Sequence, residues 1–362
     1  MLEHVSAVQT ADVDAVLLLS FGGPEAPDEV RPFLENVTRG RGVPPERLDA
    51  VEEHYQHFGG VSPINELNRR LVADLSAALQ RSGRDLPVYF GNRNWHPFAE
   101  DTVERMARDG VRRALVFATS AYGGYSACRQ YHEDIARARG AATERTGTAP
   151  DLVKLRHFFD HPLFVAAVAD GVRAARTRLG GDPRLVFTAH SIPSSADRTA
   201  GPPEEGGHRY SRQMTEAAAL VAAEVGAAEH DLVWQSRSGP PQIPWLEPDI
   251  VDHLDDLHDR GVEGVVVSPV GFVSDHLEVV WDLDNEAAEH AEKIGMGFAR
   301  AASAGSDPRF VEMVVELIGE QVDGAPARGL GTVPRAGVGC NGELCHPGCC
   351  EPARRPATAP GR

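Results

Sequence analysis

RLVFTAHSIP (184–193) sets the architecture in one short run. Its first six residues are mostly apolar and rich in branched and aromatic side chains, as in a strand covered on both faces. His190 and Ser191 follow, and Pro193 then fixes a turn, since proline cannot continue a central strand. A helical pattern begins at Arg209. The same unit recurs along the chain. DAVLLLSF (14–21), RALVFAT (113–119) and GVVVSP (264–269) read as further buried strands, and Pro87–Gly91, Asp151–Leu155 and Asp231–Gln235 as shorter ones. Between them lie helical patterns at Leu67–Arg81, Phe98–Asp109, Cys128–Arg139, His161–Leu179, Arg209–Glu224 and Asp249–Arg260. A long helix is expected from Glu278 to Ile294, and a last one over Pro308–Gly319. Such alternation points to an α/β chain with parallel sheets covered by helices on both faces. Two rounds of it predict two doubly wound domains, 1–150 and 151–320, joined through Gly140–Pro150. A Gly/Pro/Arg-rich tail, 321–362, has too little apolar content to build a core of its own.

Composition removes several function classes. The net charge is −17, and no basic footprint for nucleic acid is visible. No apolar run reaches the ~18 residues of a membrane span, and the acidic N-terminus does not read as a secretory signal, so a cytoplasmic protein is expected. Lys154 and Lys293 are the only lysines, and neither sits in a Schiff-base motif. Of five cysteines, Cys340, Cys345, Cys349 and Cys350 crowd the tail while Cys128 lies in the body. An odd count without an export signal favours metal or cluster ligation over a disulfide framework.

In open parallel sheets, ligands bind beyond the C-terminal ends of the strands. Ser20-Phe21-Gly22-Gly23-Pro24 follows the first strand; no Gly-Lys-Ser/Thr is present to make it a phosphate loop. His190 stands at the end of the strand quoted first, where it could bind a metal, accept a proton or simply be capped. After GVVVSP come Asp275, His276 and Glu278, then Asp282 and Glu286. Steps of four put Glu278, Asp282 and Glu286 on one helix face. They read either as a solvated acidic face or as an oxygen-rich path for a divalent cation or protons. Arg39 and Arg41 could clamp carboxylates. Gly59-Gly60-Val61-Ser62-Pro63 is a hinged loop with a hydroxyl.

Five motifs, in order, resemble the ferrochelatase family: LLLSFGGP (17–24), GGVSPIN (59–65), FTAHSIP (187–193), WQSRSGPPQIPWLEPD (234–249) and PVGFVSDHLEVVWDLDNE (269–286). The resemblance covers about residues 14–320. It implies two Rossmann-like domains with four-stranded parallel sheets and a porphyrin cleft between them. It implies ferrous iron as substrate, His190 and Glu278 as catalytic iron ligands facing each other, and Asp282 and Glu286 as the acidic row behind Glu278. It puts Ser62 and Tyr131 against the porphyrin, with Phe21, Arg39 and Arg41 as further contacts. Phe21 stands where many bacterial relatives carry tyrosine, so it can stack on the macrocycle but offers iron no oxygen.

The cysteines are similar to those of members that hold a 2Fe–2S cluster. That implies Cys128, Cys340, Cys345 and either Cys349 or Cys350 as ligands, adjacent cysteines being expected to point apart; a four-cysteine zinc site is the rival. SAYGGYS (120–126), the Asn92–Pro97 run and the arginine-rich composition look like the Gram-positive group, which implies coproporphyrin III as substrate in haem synthesis, with a downstream haem-pathway enzyme as partner. Insertion into protoporphyrin IX and a non-enzymatic carrier of haem or iron are the alternatives.

Overall fold

A computed structural model describes residues 13–40, 42–239 and 242–352. Its first sheet is built around β1 (Ala15–Ser20), all of whose side chains are buried. β1 lies between β2 (Val88–Asn92) and β3 (Arg113–Ala118), parallel to both. β4 (Asp151–Lys154) extends the sheet beyond β3, again parallel. The helices of this half are α1 (Val30–Val37), α2 (Pro45–His57), α3 (Ile64–Arg81), α4 (Ala99–Arg108) and α5 (Gln130–Thr146). After β4 comes α6 (Pro162–Leu179).

The second sheet has the order β6-β5-β7-β8, all parallel, formed by β5 (Arg184–His190), β6 (His230–Gln235), β7 (Gly264–Ser268) and β8 (Gly297–Arg300). Its helices are α7 (Ser194–Arg198), α8 (Arg209–Glu224), α9 (Ile250–Asp259), α10 (Leu277–Val280) and α11 (Ala288–Lys293). The last helix, α12 (Pro308–Val322), packs against α3 of the first half as well as α6. Phe117, Phe158, Phe164 and Phe310 meet ring to ring there, within one buried cluster spanning both sheets. Two parallel α/β sheets covered by helices are therefore the architecture that the alternation implied.

Four details differ from the expectation. The strand Asp151–Lys154, whose position put it at the start of the second round, is the fourth strand of the first sheet. The stretch expected to join the halves is largely helix: α5 runs through Gly140, a tolerated interior glycine, and closes at Gly147 with φ 83°. The first sheet has five strands, because β9 (Gly339–Cys340) from the tail pairs antiparallel with β4. Finally, the expected long helix from Glu278 widens into a π-helical turn over Trp281–Ala287 between α10 and α11.

The tail is held by buried polar side chains of the body. The Lys154 ammonium donates to the Gly337 carbonyl at 3.1 Å, and Gln213 donates to the Pro334 carbonyl at 2.9 Å. Asp160 accepts from Arg335 at 2.7 Å and from the Gly331 amide at 3.0 Å. Hydrogen bonds therefore tie down a segment that lacks the apolar area to fold by itself.

Candidate active site

The strand ends β5, β6 and β7 converge on one edge of the second sheet. His190 closes β5, in register with Gln235 of β6. After β7 the chain folds back over β5: the Gly271 amide donates to the Thr188 carbonyl at 3.0 Å. A Cβ at Gly271 would lie 2.6 Å from that of Ala189, so only glycine fits the crossing. The returning loop is pinned at Asp275 by the fork of Arg300, with bonds of 3.0 and 2.7 Å, and by Ser303. Burial works to raise the Asp275 pKa, but Arg300 holds it below the ordinary value.

The pinned loop delivers His276 and Glu278. His276, at the start of α10, stacks against Phe21 with centroids 6.2 Å apart. Burial lowers its pKa and nearby His190 adds to that, against the opposing pull of Glu278. Glu278 Oε2 faces His190 Nε2 at 4.0 Å, with both side chains partly open to solvent. That gap is too long for a hydrogen bond. On its other side, His190 Nδ1 lies 2.5 Å from the Ser191 carbonyl. A carbonyl only accepts, so Nδ1 carries the hydrogen, and in the neutral ring this leaves the Nε2 lone pair facing Glu278.

The acidic row continues through the π-helical turn. Asp282 accepts from Gln235 Nε2 at 3.1 Å and from the Ser236 hydroxyl. Burial, reinforced by the charge of Glu278, pushes its pKa up to about 7. Glu286, exposed at the outer end, accepts from the Trp281 indole at 2.7 Å. Trp281 lies flat on His54 of α2, 3.8 Å between centroids and 5° between planes, so this turn also touches the first half.

The ferrochelatase family model matches residues 13–322 of the chain. The chain belongs to the ferrochelatase family. A coproporphyrin III ferrochelatase of Nocardia farcinica is 64% identical over 351 residues, covering 96% of this chain and 99% of the relative. One from Mycobacteroides abscessus is 62% identical over 340 residues, with 93% and 98% covered. Among solved structures, SirB from Bacillus subtilis with Fe3+ aligns at TM-score 0.49 and 14% identity, over 85% of this chain and 95% of that one.

The described residues that the resemblance set against a porphyrin all lie in the first half of this ferrochelatase. Phe21 packs with Phe33, Trp95 and Tyr55 in a small cluster that Leu277 of the second half joins. Ser62 is buried beneath Gly23, its hydroxyl without a hydrogen-bond partner among the described residues. The ring of Tyr131 is buried under the Arg93 guanidinium, 4.2 Å from the centroid, and Arg93 in turn bonds Asp134 at 2.5 Å. Arg39 is exposed at the end of α1. Arg41 lies outside the described residues.

The thiols assemble differently from the expected set. Cys349 Sγ lies 3.6 Å from Cys345 Sγ and 3.4 Å from Cys350 Sγ. The neighbours Cys349 and Cys350 do not point apart, because Cys350 adopts φ 54°, a left-handed backbone that swings its sulfur to the same side. Cys128, pushed up to about 12 by burial, lies close enough to feel Cys345 and Cys350. Hydrogen bonding to the central Cys349 lowers the pKa of both outer thiols, Cys345 and Cys350. Cys340 stays apart in β9, where Asp151, Glu343, Arg139 and Arg113 are the charges around it. Among the described residues, no group of three or more His, Cys, Asp or Glu side chains is arranged to hold a metal ion.

Gln235, the last residue of β6, and Ser236 after it were not singled out by the sequence reading, although the search rule points to that strand end and the motif at 234–249 contains both. The stacking of Trp281 on His54 carried no signal, since nothing local links residues so far apart in the chain.

Proposed function

We propose that this ferrochelatase inserts ferrous iron into coproporphyrin III, giving Fe-coproporphyrin III in haem synthesis. The observation that carries the reading is the pairing of His190 Nε2 with Glu278 Oε2 at 4.0 Å, a gap that two ligands of one ion would leave. The names of the relatives support the choice of coproporphyrin III.

Insertion exchanges two pyrrole N–H protons for one ferrous ion, which must shed its waters. His190 meets the macrocycle through its Nε2 lone pair, able to take a pyrrole proton or to hold the ion. Glu278 supplies charge-balancing oxygen opposite. Asp282, poised at about 7, gains or loses a proton at little cost near neutral pH, and Glu286 passes the row on to solvent. His190→Ala should abolish insertion while porphyrin still binds; ordinary turnover by that variant sinks the assignment. An anaerobic assay with ferrous iron, run in parallel on coproporphyrin III and protoporphyrin IX, tests the substrate. Preference for protoporphyrin IX keeps the enzyme class and overturns the substrate.

The same proposal gives the thiol group a 2Fe–2S cluster, held by Cys128, Cys345, Cys349 and Cys350. Two thiolates on one iron, each at about 2.3 Å, would stand about 3.8 Å apart; Cys345 and Cys349 at 3.6 Å are close to that, whereas Cys350, 3.4 Å from Cys349, would have to turn away to reach the second iron. When bound, the cluster would supply a one-electron couple and cross-link tail to body. Iron and sulfide analysis of anaerobically purified protein separates this from zinc, and loss of the visible absorption in Cys350→Ser but not Cys340→Ser would support the ligand set. A cytoplasmic location accords with the described residues, where no helix is long and apolar enough to cross a membrane.

A further inference from the structure

His190 is held by more than its own ring. The Ser191 amide donates to the Gln235 carbonyl at 2.8 Å, so one side of the His190–Ser191 peptide is tied to β6. On the other side the Tyr210 hydroxyl donates to the His190 carbonyl at 2.8 Å. The next residues are anchored as well: the Ser191 hydroxyl donates to the Leu246 carbonyl at 2.8 Å, and the Leu246 amide to the Ile192 carbonyl at 3.0 Å. The Ser191 carbonyl, which takes the hydrogen of His190 Nδ1, belongs to the next peptide, held between the anchored His190–Ser191 unit and the anchored Ile192 carbonyl, so it shifts when the first of these is loosened.

Tyr210 is itself preset. It sits in the first turn of α8, and that turn is clamped to α7 by Asp197. The Asp197 carboxylate faces His208 Nδ1 at 2.7 Å and accepts from the Ser211 amide at 3.1 Å and the Ser211 hydroxyl at 2.8 Å. The Tyr210 ring is 5% exposed and leans on Trp234 of β6, with centroids 5.8 Å apart. Behind it runs Gly124, where an added Cβ would stand 3.5 Å from Tyr210 Cβ. A phenol so enclosed has one orientation, and it spends that orientation on a backbone atom of the histidine.

We propose that Tyr210 is a positioning residue for His190: its hydroxyl fixes the His190–Ser191 peptide and thereby the Nδ1–H tautomer that leaves Nε2 facing Glu278. The inference rests on the reading of His190 as the group that meets iron or a pyrrole proton. Tyr210 touches neither; it acts through the peptide. Without its hydroxyl the peptide plane can rock, the Ser191 carbonyl drifts from Nδ1, and the imidazole samples the other tautomer, with its hydrogen on Nε2.

The test uses the full chain carrying Tyr210→Phe, alongside His190→Ala. With ferrous iron and coproporphyrin III, Y210F should lose about tenfold in kcat, as small misplacements of a reacting group do, with the porphyrin KM changed less than about twofold. In protein labelled with 15N-histidine, the His190 signals, assigned by their absence in H190A, should pass from the Nδ1–H pattern to a tautomer mixture. Wild-type kcat and an unmoved His190 spectrum in Y210F, with H190A inactive, overturn the role of Tyr210 and leave the site reading intact. An active H190A overturns the site reading instead. Should Y210F not fold, Ser211→Ala loosens the same turn with the phenol in place and should show a smaller loss confined to kcat; unchanged kcat there overturns the proposal.

Discussion

Ser236 reaches the Asp282 carboxylate from a backbone in the left-handed region, φ 62°. A non-glycine residue rarely stands there without a compensating contact, and here the contact is with the one acid of the row whose pKa is pushed up to about 7. Unfolded, that carboxyl ionises near 3.8. Between the two values the folded chain holds a proton that the unfolded chain has released. The contribution of Asp282 to stability is therefore full below about pH 4 and lost as pH rises through about 7. Asp282→Asn, which never ionises, should gain melting temperature relative to the parent at pH 8 and not at pH 4. Equal differences at both pH values would show that Asp282 ionises normally.

Above about pH 7, where Asp282 is ionised, the same substitution should slow insertion chiefly at low iron, because it removes a charge from the path and keeps the shape. An iron titration in which D282N and the parent coincide would remove Asp282 from the path.

Gly23 leaves no room for a side chain. A Cβ there would lie 2.6 Å from Ser62 Cβ and 2.7 Å from its oxygen. Gly23→Ala should push Ser62 and its loop aside at a cost of about 1–3 kcal/mol. If that loop lines the porphyrin, the KM for porphyrin rises by about tenfold with little change in iron dependence. A lowered melting temperature with unchanged KM would make the contact purely structural.

Arg156 and Glu320 form a two-pronged pair, both bonds 2.7 Å, with side chains only 7% and 8% exposed. Arg156 also donates to the carbonyls of His157 and Arg328, each at 2.8 Å. It joins the end of β4 to α12. Glu320→Ala would strand a buried guanidinium and should cost about 3–5 kcal/mol, read as a shift in urea midpoint. A shift below 1 kcal/mol would mean that water reaches the arginine.

Asn341 locks the tail strand. Its backbone is left-handed, φ 59°. Its side chain accepts from the Leu152 amide and donates to Asp151, each at 2.9 Å. Asn341→Gly keeps the backbone and loses both bonds; Asn341→Ala loses the backbone preference too. Limited proteolysis should cut the tail faster in N341G than in the parent and fastest in N341A. Equal rates in all three would show that Asn341 does not hold the tail.

The sequence made the strands at 15–20, 184–190 and 264–268 legible because each is apolar on both faces and ends in a turn signal. The family motifs then marked His190 and Glu278. What escaped depends on backbone conformation or long-range pairing. β9 is two residues long and has no period to detect. The π-helical turn keeps the apolar spacing of an ordinary helix. The left-handed Cys350, which turns two adjacent thiols to one side, carries no local signal, so Cys340 could not be told from its neighbours. Tyr131 matched a family position through the resemblance, but its place under Arg93 rests on Asp134, about one helical turn further along α5.

The pairing of β4 with residues 339–340 also bears on how the chain is made. During synthesis the first four strands of that sheet can assemble long before the last segment leaves the ribosome. Until it does, β4 presents an unpaired hydrogen-bonding edge, the kind of surface on which nascent chains associate wrongly. The interval between emergence of residue 154 and residue 340 is thus a window of exposure that closes when residues 339–340 pair with β4.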